Sequence, residues 1–192
     1  MTKLVLASTS PFRQTLLRKL ALPFVTDAPD VDETVLSGET PDQLVLRLSK
    51  AKAAAVSPRH NDALIIGSDQ VAILDNQIIG KPHTHENAVH QLQRASGKRV
   101  NFLTGLCLLN SRTGHTQAAC VPYSVYFRTL SNDQIQRYLE QDQPYNSAGS
   151  FKSEGLGISL FEKLEGDDPN ALVGLPLIEL IRMLHHEGIN VP

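Results

Sequence analysis

A chain of 192 residues with 41% apolar side chains can bury a full core, and a net charge of −2 leaves no broad basic surface. Binding to nucleic acid through many phosphate contacts is therefore excluded, although a few placed cations suffice for one small anionic ligand. No apolar run approaches the roughly 18 residues of a membrane span, and the opening Met1-Thr2-Lys3-Leu4-Val5-Leu6-Ala7 lacks the form of a secretion signal. With Cys107 and Cys120 both in apolar strand-like segments, two buried free thiols and a cytoplasmic location are expected.

In chain order, Lys3–Ala7 reads as a buried strand and Pro11–Leu20 as a helix with Leu16, Leu17 and Leu20 on one side. Thr40 caps a second helix from Pro41 to Val56, where Leu44, Leu48, Ala51 and Ala55 recur at helical spacing. Leu64–Gly67 and Val71–Leu74 read as two strands, and Asp75-Asn76 turns the chain into Gln77–Ile79. Thr84 caps a helix to Ala95, and Val100–Asn110 and Gln117–Arg128 form two long strands joined at Ser111–Gly114. Ser131 with Gln134 makes a capping box for a helix to Glu140. Gly149–Gly157 is a polar, glycine-rich loop, Ile158–Leu164 a strand, and Pro176–Glu187 a closing helix. No linker, repeat or low-complexity segment divides the chain, so a single domain over 1–192 is expected, of α/β class with a mixed sheet.

Four places carry residues suited to chemistry. In Ala7-Ser8-Thr9-Ser10-Pro11-Phe12-Arg13 a strand ends, Ser10 caps a helix and Pro11 takes its first position. The amides of that helix start, with the hydroxyls of Ser8 and Ser10, suit an anion. Arg13 sits in the first turn, where a cation opposes the helix dipole; it either holds a phosphate or is simply solvated. Asp69 lies in Gly67-Ser68-Asp69-Gln70 between apolar segments, where a carboxylate needs a partner or a metal unless the segment is an ordinary turn. Asp32-Glu33-Thr34 offers further carboxylates, and a Glu33/Asp69 pair completed by phosphate oxygens suffices for Mg²⁺. Lys52 stands beside the apolar stripe of its helix and Lys81 in the tight loop Gly80-Lys81-Pro82; both are also compatible with plain surface lysines. The pairs His83/His85 and His185/His186 have no metal spacing and read as exposed. A P-loop, a G-x-G-x-x-G turn and a nucleophile elbow are all absent from the sequence.

Together, Ser8-Thr9-Ser10-Pro11-x-Arg13, Asp32-Glu33-Thr34, Lys52, Gly67-Ser68-Asp69, Gly80-Lys81-Pro82, Gly149-Ser150-Phe151 and Val173-Gly174-Leu175-Pro176 follow the order and spacing of the Maf family. Over essentially its whole length the chain resembles these nucleoside triphosphate pyrophosphatases. The resemblance implies a central mixed sheet with helices on both sides, two lobes flanking a cleft, and a divalent cation (Mg²⁺, Mn²⁺ or Co²⁺). It matches Asp69 to the family's catalytic aspartate, the proton acceptor, with Glu33 and Asp69 as metal ligands. Ser8, Ser10, Arg13, Lys52 and Lys81 then fall to phosphate binding. The branch acting on dTTP and UTP carries Arg, Thr and Gln where this chain has Phe12, Gln70 and Glu154, so the chain looks like the branch acting on 7-methyl-GTP. That branch often has Trp at the position of Phe12, a departure that weakens base stacking. The expected partner is a small-molecule nucleotide, with no nucleic acid and no membrane, and with a homodimer as the candidate assembly. The rival readings are a dTTP/UTP enzyme and a nucleotide-binding regulator of septation.

Overall fold

The computed structural model describes residues 3–191; Met1, Thr2 and Pro192, at the ends of the single domain expected over 1–192, lie outside the described residues. In chain order the elements are β1 (Lys3–Leu6), α1 (Pro11–Arg18), β2 (Phe24–Thr26), α2 (Pro41–Val56), β3 (Ala63–Leu74), β4 (Gln77–Ile79), α3 (His85–Ala95), β5 (Arg99–Asn110), β6 (Thr116–Phe127), α4 (Asn132–Asp142), β7 (Phe161–Glu165), α5 (Pro169–Val173) and α6 (Leu177–His186). The strand order is β2-β1-β3-β5-β6-β7, with β4 also paired to β3. β1 is parallel to β2 and β3, whereas β4 and β7 run antiparallel to β3 and β6, so the sheet is mixed as expected. No helix among the described residues is long and apolar enough to cross a membrane.

The chain divides into two compact units. The first holds the described residues through Gln70, Thr104–Val121 and the described residues from Asp168 onward; the second holds Val71–Leu103 and Pro122–Asp167. In the first unit, strand alternation sorts the apolar side chains to two faces. Leu4, Leu6, Leu64, Ile66, Leu106 and Leu108 pack with α1 and α6 through Leu16, Leu17, Leu180 and Leu184. Val5, Ala7, Ala63, Ile65 and Cys107 pack on Ala53 and Val56 of α2. Helices therefore cover both faces, and each fully buried Leu contributes about 2 kcal/mol. α2 lies directly on the strand backbone: a Cβ on Gly67 would overlap the Ser49 carbonyl oxygen, and one on Gly105 the Val45 carbonyl oxygen. Cys107 and Cys120 are free thiols; Cys107 is buried, which pushes its pKa up to about 11, whereas Cys120, expected to be buried too, is only half-buried.

In the second unit, Asp75 and Asn76 both take positive φ, as a two-residue hairpin turn requires, and pair Leu74 with Gln77. Its core is aromatic. Phe102, Phe127, Phe151 and Phe161 meet edge to face with ring centroids 4.8–5.7 Å apart.

Three further expectations need correction. Leu64–Gly67 and Val71–Leu74 are one continuous strand, β3, because Asp69 finds a cation and needs no turn to reach water. Ile158–Leu164 is extended only from Phe161, since Leu156–Leu160 winds as 3₁₀ around Gly157, packed on the Lys152 backbone. His85 is half-buried rather than exposed, its ring nitrogens meeting Tyr145 Oη at 3.0 Å and Gln136 Oε1 at 2.8 Å. The short β2 and α5 were not anticipated.

Candidate functional site

The first unit gathers charge around Asp69. Its side chain is nearly buried in β3, and Lys52, four residues beyond Leu48 on α2, reaches it with Nζ 2.7 Å from Oδ1. The same ammonium lies 2.6 Å from Glu33 Oε1, so one cation binds two carboxylates. The two contacts differ in strength. Lys52 and Asp69 are both sequestered, and breaking such a pair by removing one partner costs about 3–5 kcal/mol. Glu33 has a side chain 60% exposed, so water screens its attraction.

The loop after β1 stands beside this cluster electrostatically. Ser10 caps α1 by accepting from the Arg13 amide at 3.4 Å, and buried Ser8 accepts from the Ser10 amide at 3.1 Å. Arg13 donates from Nε to the Gly174 carbonyl at 2.8 Å, using one of its five donors. Desolvation pulls the Arg13 pKa below its ordinary value, and the negative charges of Asp69 and Glu33 oppose that shift. Ser68 donates to the same carbonyl at 2.9 Å. That double acceptor depends on Gly174, which ends α5 at φ 109°, and whose added Cβ would lie 3.3 Å from Arg13 Nε. Gln70 braces the same helix. Its Nε2 donates to Thr104 Oγ1 at 2.9 Å and to the carbonyls of Ala171 and Leu172 at 2.7 and 3.1 Å.

Phe12, in the first turn of α1, is partly exposed. Lys81 and Glu154 belong to the second unit and are exposed. Each sits on a fastened loop. The Gly80 carbonyl accepts from Gln91 at 3.1 Å, and the His83 amide donates to the Tyr145 carbonyl at 3.0 Å, with His83 at φ 61°. Upstream of Glu154, Phe151 is buried in the aromatic core and the Lys152 amide donates to Tyr138 Oη at 3.1 Å. Thus Glu33, Lys52 and Asp69 meet directly, and Arg13 meets Ser68 through Gly174.

Among the described residues no group of three or more His, Cys, Asp or Glu side chains forms a ready metal cage. The Glu33 and Asp69 carboxylates already converge on one positive centre, Lys52 Nζ. Two hard oxygen donors suit a small divalent cation that draws its remaining ligands from phosphate and water.

Sequence reasoning left Gly174, Ser68 and Thr104 without roles. Glycine before Leu175-Pro176 signals a helix end, but no side-chain pattern reveals that its carbonyl is the shared acceptor. Asp168 caps α5, its Oδ1 accepting from the Asn170 amide at 2.8 Å.

Fold and site together define an α/β protein whose buried strand aspartate and helix lysine stand beside a capped helix start. The chain belongs to the Maf family: residues 3–187 match the profile described as "Maf-like protein". It is similar to three proteins named "7-methyl-GTP pyrophosphatase". That of Vibrio cholerae is 59% identical over 98% of this chain and 97% of the relative. That of Alcanivorax borkumensis is 57% identical over 98% and 96%, and that of Pseudomonas aeruginosa is 55% identical over the full length of both.

Proposed function

We propose that this chain is a nucleoside triphosphate pyrophosphatase that hydrolyses 7-methyl-GTP to 7-methyl-GMP and diphosphate. The observation that carries this reading is identity of 55–59% over at least 98% of the chain to relatives bearing that name. The joined Glu33, Lys52 and Asp69 side chains give it a chemical centre.

In the proposed reaction a water oxygen attacks the α-phosphorus and the bond to the bridging oxygen breaks. The water oxygen stays on the monophosphate, and the β- and γ-phosphates leave as diphosphate. Asp69 accepts the water proton. Glu33 and Asp69 would hold a divalent cation (Mg²⁺, Mn²⁺ or Co²⁺), which supplies neutralisation of phosphate charge when bound. Lys52 balances the two carboxylates and offers its charge to the triphosphate, as do Arg13 and Lys81. Ser8, Ser10 and the start of α1 donate hydrogen bonds to a phosphate.

The base supplies the selectivity. Methylation at N7 makes the guanine cationic, so the aromatic face of Phe12 attracts it by roughly 0.5–2 kcal/mol, and the Glu154 carboxylate opposes its charge and accepts from the guanine edge. Gln70, the third position that differs from the dTTP/UTP branch, acts through α5, which its amide holds. Turnover in isotope-labelled water tests the chemistry: the label is expected in 7-methyl-GMP, and label in diphosphate would contradict attack at the α-phosphorus.

A further inference from the structure

One amide in the second unit, to which the proposed reaction gives no role, joins the segments that carry Lys81 and Glu154. Gln91 lies partly buried in the middle of α3. Its Nε2 donates to the Gly80 carbonyl at 3.1 Å, and its Oε1 accepts from Ser150 Oγ at 2.6 Å. A carbonyl can only accept, so the Gly80 contact fixes which end of the amide carries the protons, and the Ser150 hydroxyl must then be the donor. Gly80 precedes Lys81, and Ser150 begins the segment that runs to Glu154.

Ser150 is held tightly. It is fully buried, and at φ 62° it occupies the left-handed region that side chains avoid, directly after Gly149 at φ 77°. Such a conformation persists only where surrounding contacts over-determine it. Its amide donates to the Ser147 carbonyl at 3.2 Å and its hydroxyl to Gln91 Oε1, and the latter ties it to a distant element. Release of either end of the Gln91 amide therefore loosens what the other end holds.

We propose that Gln91 is a positioning residue that couples the Lys81 loop to the Ser150–Glu154 segment, so that both are ordered together. Its bearing on phosphate and base binding rests on the proposed function; the coupling itself does not. Amide hydrogen exchange of the full chain tests it. Ser150→Ala removes the hydroxyl at almost constant volume. It should speed exchange several-fold in residues 80–84, which contain the protected His83 amide and which Ser150 does not itself bond. Gln91→Glu keeps the acceptor for Ser150 but loses the donor to Gly80, so exchange should rise in 80–84 and, through the coupling, in 147–152 as well. In a Gln91→Met background, Ser150→Ala should add nothing at 80–84. If Ser150→Ala disturbs only its own segment, the coupling is refuted, and this holds whether or not any nucleotide is turned over.

Activity gives the second readout. Gln91→Met should lower kcat/KM roughly tenfold, the scale of one buried hydrogen bond. In a Lys81→Met background it should lower it by clearly less, because the lysine it positions is gone and only the segment carrying Glu154 is left to lose its order. Additive losses in kcat/KM would assign Gln91 a merely structural role. A wild-type chain that releases no diphosphate from any nucleotide would sink the proposed function, while the exchange result would still decide the coupling.

Discussion

The two units hold their candidate residues by opposite means. In the first, Glu33, Lys52 and Asp69 are fixed by charge, two carboxylates sharing one ammonium, and Arg13, tied to the Gly174 carbonyl, feels the charges of Asp69 and Glu33. In the second, Lys81 and Glu154 stand exposed, and the backbone that carries them is fixed by neutral hydrogen bonds, one donated by Gln91 and two accepted by Tyr138 Oη and the Tyr145 carbonyl. Charge networks in low dielectric are strong but intolerant of losing a member. Backbone fastening leaves a side chain solvated and free to follow a ligand. Substitutions in the first unit should therefore act through electrostatics, and those in the second through loop order.

The largest effect is expected at Asp69. Asp69→Asn should lower turnover by on the order of 10²-fold or more, with the far-UV circular dichroism retained. The fold survives because Asn keeps the volume of Asp and a carbonyl oxygen that accepts from Lys52. Near wild-type turnover would remove Asp69 from the chemistry. A steric break comes next. Gly67→Ala drives a Cβ into the Ser49 carbonyl of α2 and should cost about 3 kcal/mol in urea unfolding. A loss below about 0.5 kcal/mol, the range of ordinary surface substitutions, would show that α2 can shift away from β3.

Acid should separate the units. Hydrogen bonds from Arg59, then His60, hold the Asp27 carboxyl down at about 2, and Arg47 does the same for Glu39. Both folded pKa values lie below the ordinary 3.8 and 4.5, so their stabilisation is complete above that range and is lost as pH falls toward about 2. Both carboxylates are in the first unit, whereas all four tyrosines, Tyr123, Tyr126, Tyr138 and Tyr145, are in the second, and the chain has no Trp. Far-UV signal should therefore fall before the near-UV tyrosine signal, and Asp27→Asn with Glu39→Gln should flatten that acid limb. Coincident loss of the two signals in both proteins would argue against a separate acid response. The smallest effect is expected from Phe12→Trp. Indole is the stronger cation–π partner and should raise the kcat/KM ratio of 7-methyl-GTP over GTP by roughly threefold. A lowered ratio would take Phe12 out of base recognition.

Elements whose stability is local were legible in the sequence. α2 and α3 run as expected from Pro41 to Val56 and from Thr84 as cap to Ala95, because their caps and apolar spacing lie within a few residues of each other. What the sequence hid depends on distant partners. The Asp69 carboxylate looked like a break in a strand because its counter-charge, Lys52, comes from another element 17 residues away. β2, of three residues, and α5, of five, are too short to show a period. Among the site residues, the setting of Asp69 called for a partner, and that partner is Lys52, whose own place beside an apolar stripe is equally compatible with a plain surface lysine. Gly174 and Gln91 act through or upon backbone carbonyls, which carry no residue-specific signature, so nothing in their side-chain patterns announced them.

The central claim is tested most directly by steady-state kinetics of the purified chain on 7-methyl-GTP, GTP, dTTP and UTP with Mg²⁺ or Mn²⁺. The predicted result is the highest kcat/KM for 7-methyl-GTP, equimolar 7-methyl-GMP and diphosphate as products, and loss of turnover on chelation. Equal kcat/KM for GTP, a preference for dTTP or UTP, or release of orthophosphate in place of diphosphate would contradict it.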